Sequence, residues 1–301
     1  MTTTIQSLEA EIVALEAQLQ NAKILLSRSQ PPSPLPIAPS TTTVPTNNTT
    51  SPSPQPSSTK QTITPSSLHT LLLLADSALP LGSFAFSSGL ESFLAHHRTP
   101  PAHQPALFAR FLTLSLSSLA STSLPYVLAA HRQPGRLTEL DNDFDASTLC
   151  TVARRASVAQ GRALLGVWER SLKGSCISDV DALKLFARAY RAQNSQDAQI
   201  NAHLAPLWGA VSCALGVDEE QTAYVFLFGH ARAVVSAAVR ASVLGPYQAQ
   251  AELASGELRA GIEGLLREWW DVETRDAGQT VPAVDLWVGR HEKLYSRIFN
   301  S

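Results

Sequence analysis

The chain has 301 residues, 44% of them hydrophobic, enough to bury one large core or two modest ones. Its charge is nearly balanced, with 23 Lys plus Arg against 25 Asp plus Glu, so no basic field points to nucleic acid or to an anionic membrane surface. Cys150, Cys176 and Cys213 are widely spaced and form no CxxC pair, which fits a reducing, cytoplasmic setting better than a disulfide framework.

In chain order, residues 1–27 place Ile5, Leu8, Ile12, Leu15, Leu19, Ala22 and Leu26 at alternating steps of three and four. That is the seam of a short coiled coil, or of a solitary amphipathic helix that orders on a partner. No signal-peptide pattern of basic flank and apolar stretch is read there. Residues 28–67 turn to Pro, Ser and Thr with almost no large apolar side chains, the composition of a disordered linker.

Residues 68–301 are expected to form one all-α domain, a helical bundle punctuated by Gly and Pro. Within residues 111–119, Leu112, Leu114 and Leu116 alternate as a strand would. Helical spacing fits as well, and no second alternating run lies nearby to pair with it, so a helix is expected. Residues 151–172 carry Val152, Ala156, Ala159, Ala163, Leu164 and Val167 on one stripe of an amphipathic helix. Residues 181–192 repeat the pattern, residues 203–215 are nearly all apolar, and residues 219–244 form a long Ala- and Val-rich stretch. His230 and Arg232 interrupt that last stretch, so no membrane span is expected.

Residues 76–92 read DSALPLGSFAFSSGLES. Pro80 and Gly82 break the backbone between two helices, Ser88 and Glu91 have the spacing of a capping box, and Phe84 and Phe86 are expected to seat the turn against the core. The string resembles the D-S-x-L-P-x-G-x-F-x-x-S-x-G-L-E signature of the urease accessory protein F (UreF) family, on Asp76, Pro80, Gly82, Phe84, Gly89 and Glu91. The resemblance continues in order. Leu140, Asp141, Arg154, Ala156, Ser157, Gly161, Arg162 and Leu164 are similar to the family's L-D … R-x-A-S-x-x-x-G-R-x-L helix. His203 and Gly209 match H-x-P-x-x-x-G, with Pro206 one place late, and Arg240, Gly245 and Gln250 match R-x-x-x-L-G … Q. Pro246 stands where many bacterial members carry Gln, which leaves Gln250 as the surviving amide. The last residues, HEKLYSRIFNS, resemble H-E-x-L-Y-x-R-L-F-x-S with Ile298 in place of Leu.

The resemblance implies a non-catalytic scaffold of urease maturation. Such a scaffold couples a nickel-carrying GTPase, UreG, to apo-urease through UreD/UreH, with nickel and GTP held by the partners and no cofactor bound directly. It also implies a homodimer, and it places the UreD/UreH contact on the tail, at His291, Glu292, Tyr295, Arg297, Phe299 and Ser301. The residues themselves agree on the lack of enzyme motifs: GxSxG and GxxxxGK[ST] are missing. The eight histidines show no HExxH pair or i, i+4 pair, so no metal site is expected. His203, ahead of an apolar helix, fits a capping or core role. Aromatic and Arg side chains in the tail fit a binding surface. Two rival readings are a helical metal-dependent enzyme using His203 and His230, and a general helical adaptor acting through residues 1–27.

Overall fold

The structure is a computed structural model that describes residues 65–301 apart from 98–99, 101–102 and 194–199, with side chains from residue 68 onward. The heptad seam of residues 1–27 and the expected linker up to residue 64 lie outside the described residues. Helix α1 (Pro65–Ala75) begins just ahead of the expected boundary at 68, with Pro65 at its first position, where a missing N–H costs nothing.

A turn containing a short 3-10 segment (Ser83–Ala85) leads to α2 (Leu90–His96). Then come α3 (Gln104–Thr122) and α4 (Leu124–Arg132), each with a proline in its first turn. The alternating leucines of residues 111–119 are helical, as expected. Phe108, Phe111, Leu112, Ser115 and Leu116 share the buried stripe at steps of three and four, and among the described residues no strand occurs.

Helix α5 (Leu137–Ser147) is followed by α6 (Thr151–Val167), which runs into one π-helical turn, Trp168–Leu172. Beyond it lie α7 (Asp181–Ala192), α8 (Leu204–Ala214) and α9 (Glu219–Arg240). Asp218 caps α9 by accepting the Gln221 N–H at 2.8 Å, and the acidic pair Glu219 and Glu220 suits the positive end of the helix dipole. Helices α10 (Pro246–Leu253), α11 (Gly256–Trp269) and α12 (Pro282–Arg290) complete the series. Pro246 sits at the start of α10, a position that suits proline.

Helix α8 is the hub. It is buried on nearly every face and packs against α4, α5, α6 and α9. That explains why residues 203–215 lack the polar stripe of a surface helix. A single large core links α1 through α11, and Val152, Val284 and Val288 form a small second cluster between α6 and α12. Two stretches, Gln104–Arg132 and Glu219–Arg240, are long and apolar enough to cross a membrane. In the first, 72% of the most apolar window is buried inside the protein, and in the second 56%. Both serve as core helices here.

Candidate functional site

The motif residues gather at two buried polar junctions. At the first, the chain enters α2 through two consecutive left-handed residues, Ser88 (φ 53) and Gly89 (φ 88). Gly89 is required twice over: its φ disfavours a side chain, and a Cβ there would press on Val288 of α12 at 3.0 Å. The expected capping box does not form. Gly89 precedes the helix without a side-chain cap, and the Ser87 hydroxyl, not that of Ser88, accepts the Glu91 N–H at 3.3 Å. The Glu91 carboxylate turns instead to the C-terminal segment. It accepts the backbone N–H groups of Ile298 at 2.7 Å and Phe299 at 3.2 Å, and His291 Nε2–H at 2.8 Å.

The last residues run alongside the turn. Asn300 N–H donates to the Ala85 carbonyl at 2.8 Å, and both the N–H and the hydroxyl of Ser87 donate to the Ser301 carbonyl. Phe299 is buried, with the Arg240 guanidinium 4.4 Å above its ring, a cation–π contact. Glu292 pairs with Arg155 of α6. His291, read from sequence as spared for a partner, is fully buried; its Nδ1 has no hydrogen-bond partner. Tyr295, Arg297 and Ile298 point outward. Phe84 departs from expectation: it is 68% exposed, while Phe86 is half-buried. Gly82 (φ 70) opens the 3-10 segment, and Asp76 accepts the Ala78 N–H at 2.9 Å. Pro80 lies in the turn between them.

At the second junction, α5, α6 and α8 converge. Asp141 is buried, and its carboxylate collects three backbone N–H groups, from Asn201 at 2.7 Å, Ala202 at 3.1 Å and His203 at 2.6 Å. His203 has no exposed surface. Its Nδ1 meets the Ser157 hydroxyl at 3.1 Å, its Nε2 meets Asp145 at 3.0 Å, and its ring lies edge-on to Phe144. Ser157 also accepts the Leu204 N–H, satisfying one of the donors that a helix start leaves over. Any Cβ on Gly161 would collide with the Ala202 carbonyl, so α6 can approach the start of α8 only with glycine there. Gly209 does the same for α8 against the Val127 carbonyl of α4. Arg162 lies over the Tyr190 ring and reaches the Asn201 carbonyl. These residues set the geometry of the bundle. Gln250 is exposed on α10, and Gly245 donates its N–H to Gln248 at 2.9 Å ahead of that helix.

Among the described residues, no group of three His, Cys, Asp or Glu side chains is arranged to hold a metal ion. The sequence model of the family described as UreF matches residues 102–256. The chain belongs to the urease accessory protein F family. A Schizosaccharomyces pombe protein named "uncharacterized urease accessory protein UreF-like" is 38% identical over 233 residues, covering 77% of this chain and 97% of that protein. Urease accessory protein F of Arabidopsis thaliana is 32% identical over 230 residues, 76% of this chain and 90% of its own length. The Oryza sativa protein of the same name is 30% identical over 228 residues, 75% and 82%.

Within this family frame, Asp141, Ser157, Gly161, His203 and Gly209 answer to the second junction, and Gly89 and Glu91 to the first. The resemblance to the family motifs pointed to each residue but not to its partner. Ser87 and Asp145 were missed because their partners come from distant sequence, 214 and 58 residues away.

Proposed function

We propose that this member of the urease accessory protein F family is a non-catalytic scaffold that couples UreG to apo-urease through UreD/UreH, as a cytoplasmic homodimer. Nickel and GTP stay on the partner proteins. The observation that carries the reading is the tail. Glu91, Ser87 and Ala85 fix the backbone of residues 298–301 while Tyr295, Arg297 and Ile298 face solvent. A segment with a fixed backbone and an outward aromatic, an Arg and an aliphatic offers hot-spot side chains at low ordering cost. A scaffold of this kind needs no chemistry of its own, because binding one state of a GTPase better than another shifts that equilibrium.

The test is a pull-down of a UreD/UreH partner by the full chain and by Tyr295→Ala/Ile298→Ala, two exposed positions whose truncation leaves the Glu91 contacts in place. The double variant should lose the partner while its helical circular dichroism is retained. Undiminished capture would remove the tail from the interface. Deleting this chain from a strain should leave urease protein present without activity.

A further inference from the structure

A cavity of about 530 Å³ opens among α1, α3, α6, α8, α9 and α12, a size typical of ligand sites. Its wall is mostly apolar, with Leu74, Phe144, Trp208 and Phe226 among its lining residues. Ser301 of the tail and Phe84 and Ser88 of the turn also line it, whereas the outward Tyr295, Arg297 and Ile298 do not, and three features of α9 mark it as more than a packing fault.

The first is Gly229. It lies inside a 22-residue helix, lines the cavity, and a Cβ there would meet nothing within 4 Å. Glycine in a helix interior is destabilising, and no close approach requires it here. Its effect is to leave the cavity open. The second is Arg232, half-buried on the same wall. Its Nη1 donates to the Ala75 carbonyl, and among the described residues no carboxylate lies within ion-pair distance of it. Asp76 attracts it from farther off but takes the Ala78 N–H on its own carboxylate. A guanidinium held against apolar walls without a counter-ion is suited to an anion, and its planar fork to a carboxylate.

The third feature is that the neighbouring groups do not supply that anion. His230 is hydrogen-bonded to the Ser115 hydroxyl at 2.8 Å, and burial pushes its pKa down to about 4, so it lines the cavity as a neutral imidazole. Asp285 also lines the cavity, its carboxyl pKa raised by burial and partly offset by a hydrogen bond from Gln279, but it makes no ion pair with Arg232.

We propose that the cavity binds a free, single-chain molecule with a carboxylate head and an apolar body, of the medium-chain fatty acid type, its head on Arg232 and its body along Leu74, Trp208 and Phe226.

Calorimetric titration of decanoate into the full chain, with 1-decanol as the uncharged counterpart, is the test. The natural chain should bind decanoate saturably at one site. Arg232→Gln, which keeps a donor for the Ala75 carbonyl, should bind it at least tenfold more weakly while its affinity for 1-decanol is unchanged. Gly229→Leu should lose both ligands, because leucine fills the cavity from a helix it favours. Circular dichroism confirms that each variant is folded, and the Arg232→Gln comparison decides the matter even if the leucine variant is not. Absence of saturable binding, equal affinity of Arg232→Gln for decanoate, or unimpaired binding by Gly229→Leu would each overturn the assignment.

Discussion

Glu91 shows how far one side chain can differ from its local reading. Three residues beyond Ser88, it has the spacing of a capping box, yet its carboxylate bonds to groups about 200 residues away. Replacing it by Gln keeps the shape but leaves one oxygen where two served, and turns an amide N–H2 toward a backbone donor. The loss should be about 2 kcal/mol, in the range for hydrogen bonds to charged groups. It should fall on the tail, because the amides that Glu91 accepts are those of Ile298 and Phe299. Hydrogen exchange at residues 298–301 should therefore speed up roughly thirtyfold, with the thermal midpoint nearly unchanged. Exchange that stays as slow as in the natural chain would mean Glu91 does not hold the tail.

His230 gives a residue-scale pH effect. Its folded pKa, about 4, lies below the ordinary 6.5 because burial disfavours the imidazolium. The unfolded chain therefore binds the proton more readily. The neutral ring's contribution is fully present above pH 6.5 and is lost as pH falls from 6.5 toward 4. At roughly 1.4 kcal/mol per pH unit, that is on the order of 3 kcal/mol over the window. His230→Gln, which cannot titrate, should show a flatter stability curve between pH 6.5 and 4 in urea denaturation, the difference from the natural chain being the histidine's share.

At the scale of elements, the same change in two helices should have opposite signs. Gly161 of α6 lies where any Cβ would strike the Ala202 carbonyl, a backbone atom that cannot turn aside. Gly161→Ala must therefore push α6 from α8, and overpacking of this kind costs about 1–3 kcal/mol or more. Gly229 of α9 faces open space, and Gly229→Ala should gain up to about 1 kcal/mol of helix propensity. Thermal unfolding of the two variants should move the midpoint down for the first and up for the second. Helical spacing does not tell the two apart, and the motif that singles out Gly161 does not show what lies against it. The helices themselves were legible, since residues 181–192 match α7 and residues 203–215 match α8, although the His203 side chain does not cap that helix and bonds Ser157 and Asp145 in the core instead. Phe84 was not: an aromatic in a turn reads as an anchor, but whether it points inward depends on the left-handed residue before the turn, Gly82, and on what packs beneath.

For the whole molecule, the ordered motifs anticipated the family. The same motifs could not show that they form two junctions, because Asp141 meets residues 201–203 and Glu91 meets residues 291–299 only after the chain has folded. Those long-range pairs make a truncation test sharp. A fragment of residues 65–301 contains both core clusters and both junctions, so it should unfold cooperatively with a midpoint within a few degrees of the full chain. A fragment of residues 103–301 is only modestly shorter but lacks Leu74, Leu81, Leu90 and Phe93, all buried. Each such side chain contributes about 1.5–3 kcal/mol of burial, and the loss also strips the tail of Glu91 and Ser87. Against a total stability of about 5–15 kcal/mol, the sum removes most or all of the margin. The shorter fragment should show no cooperative thermal transition by circular dichroism. A sharp transition in that fragment would place the stability of the bundle in α3–α12 alone and make α1, α2 and the tail an appendage to it.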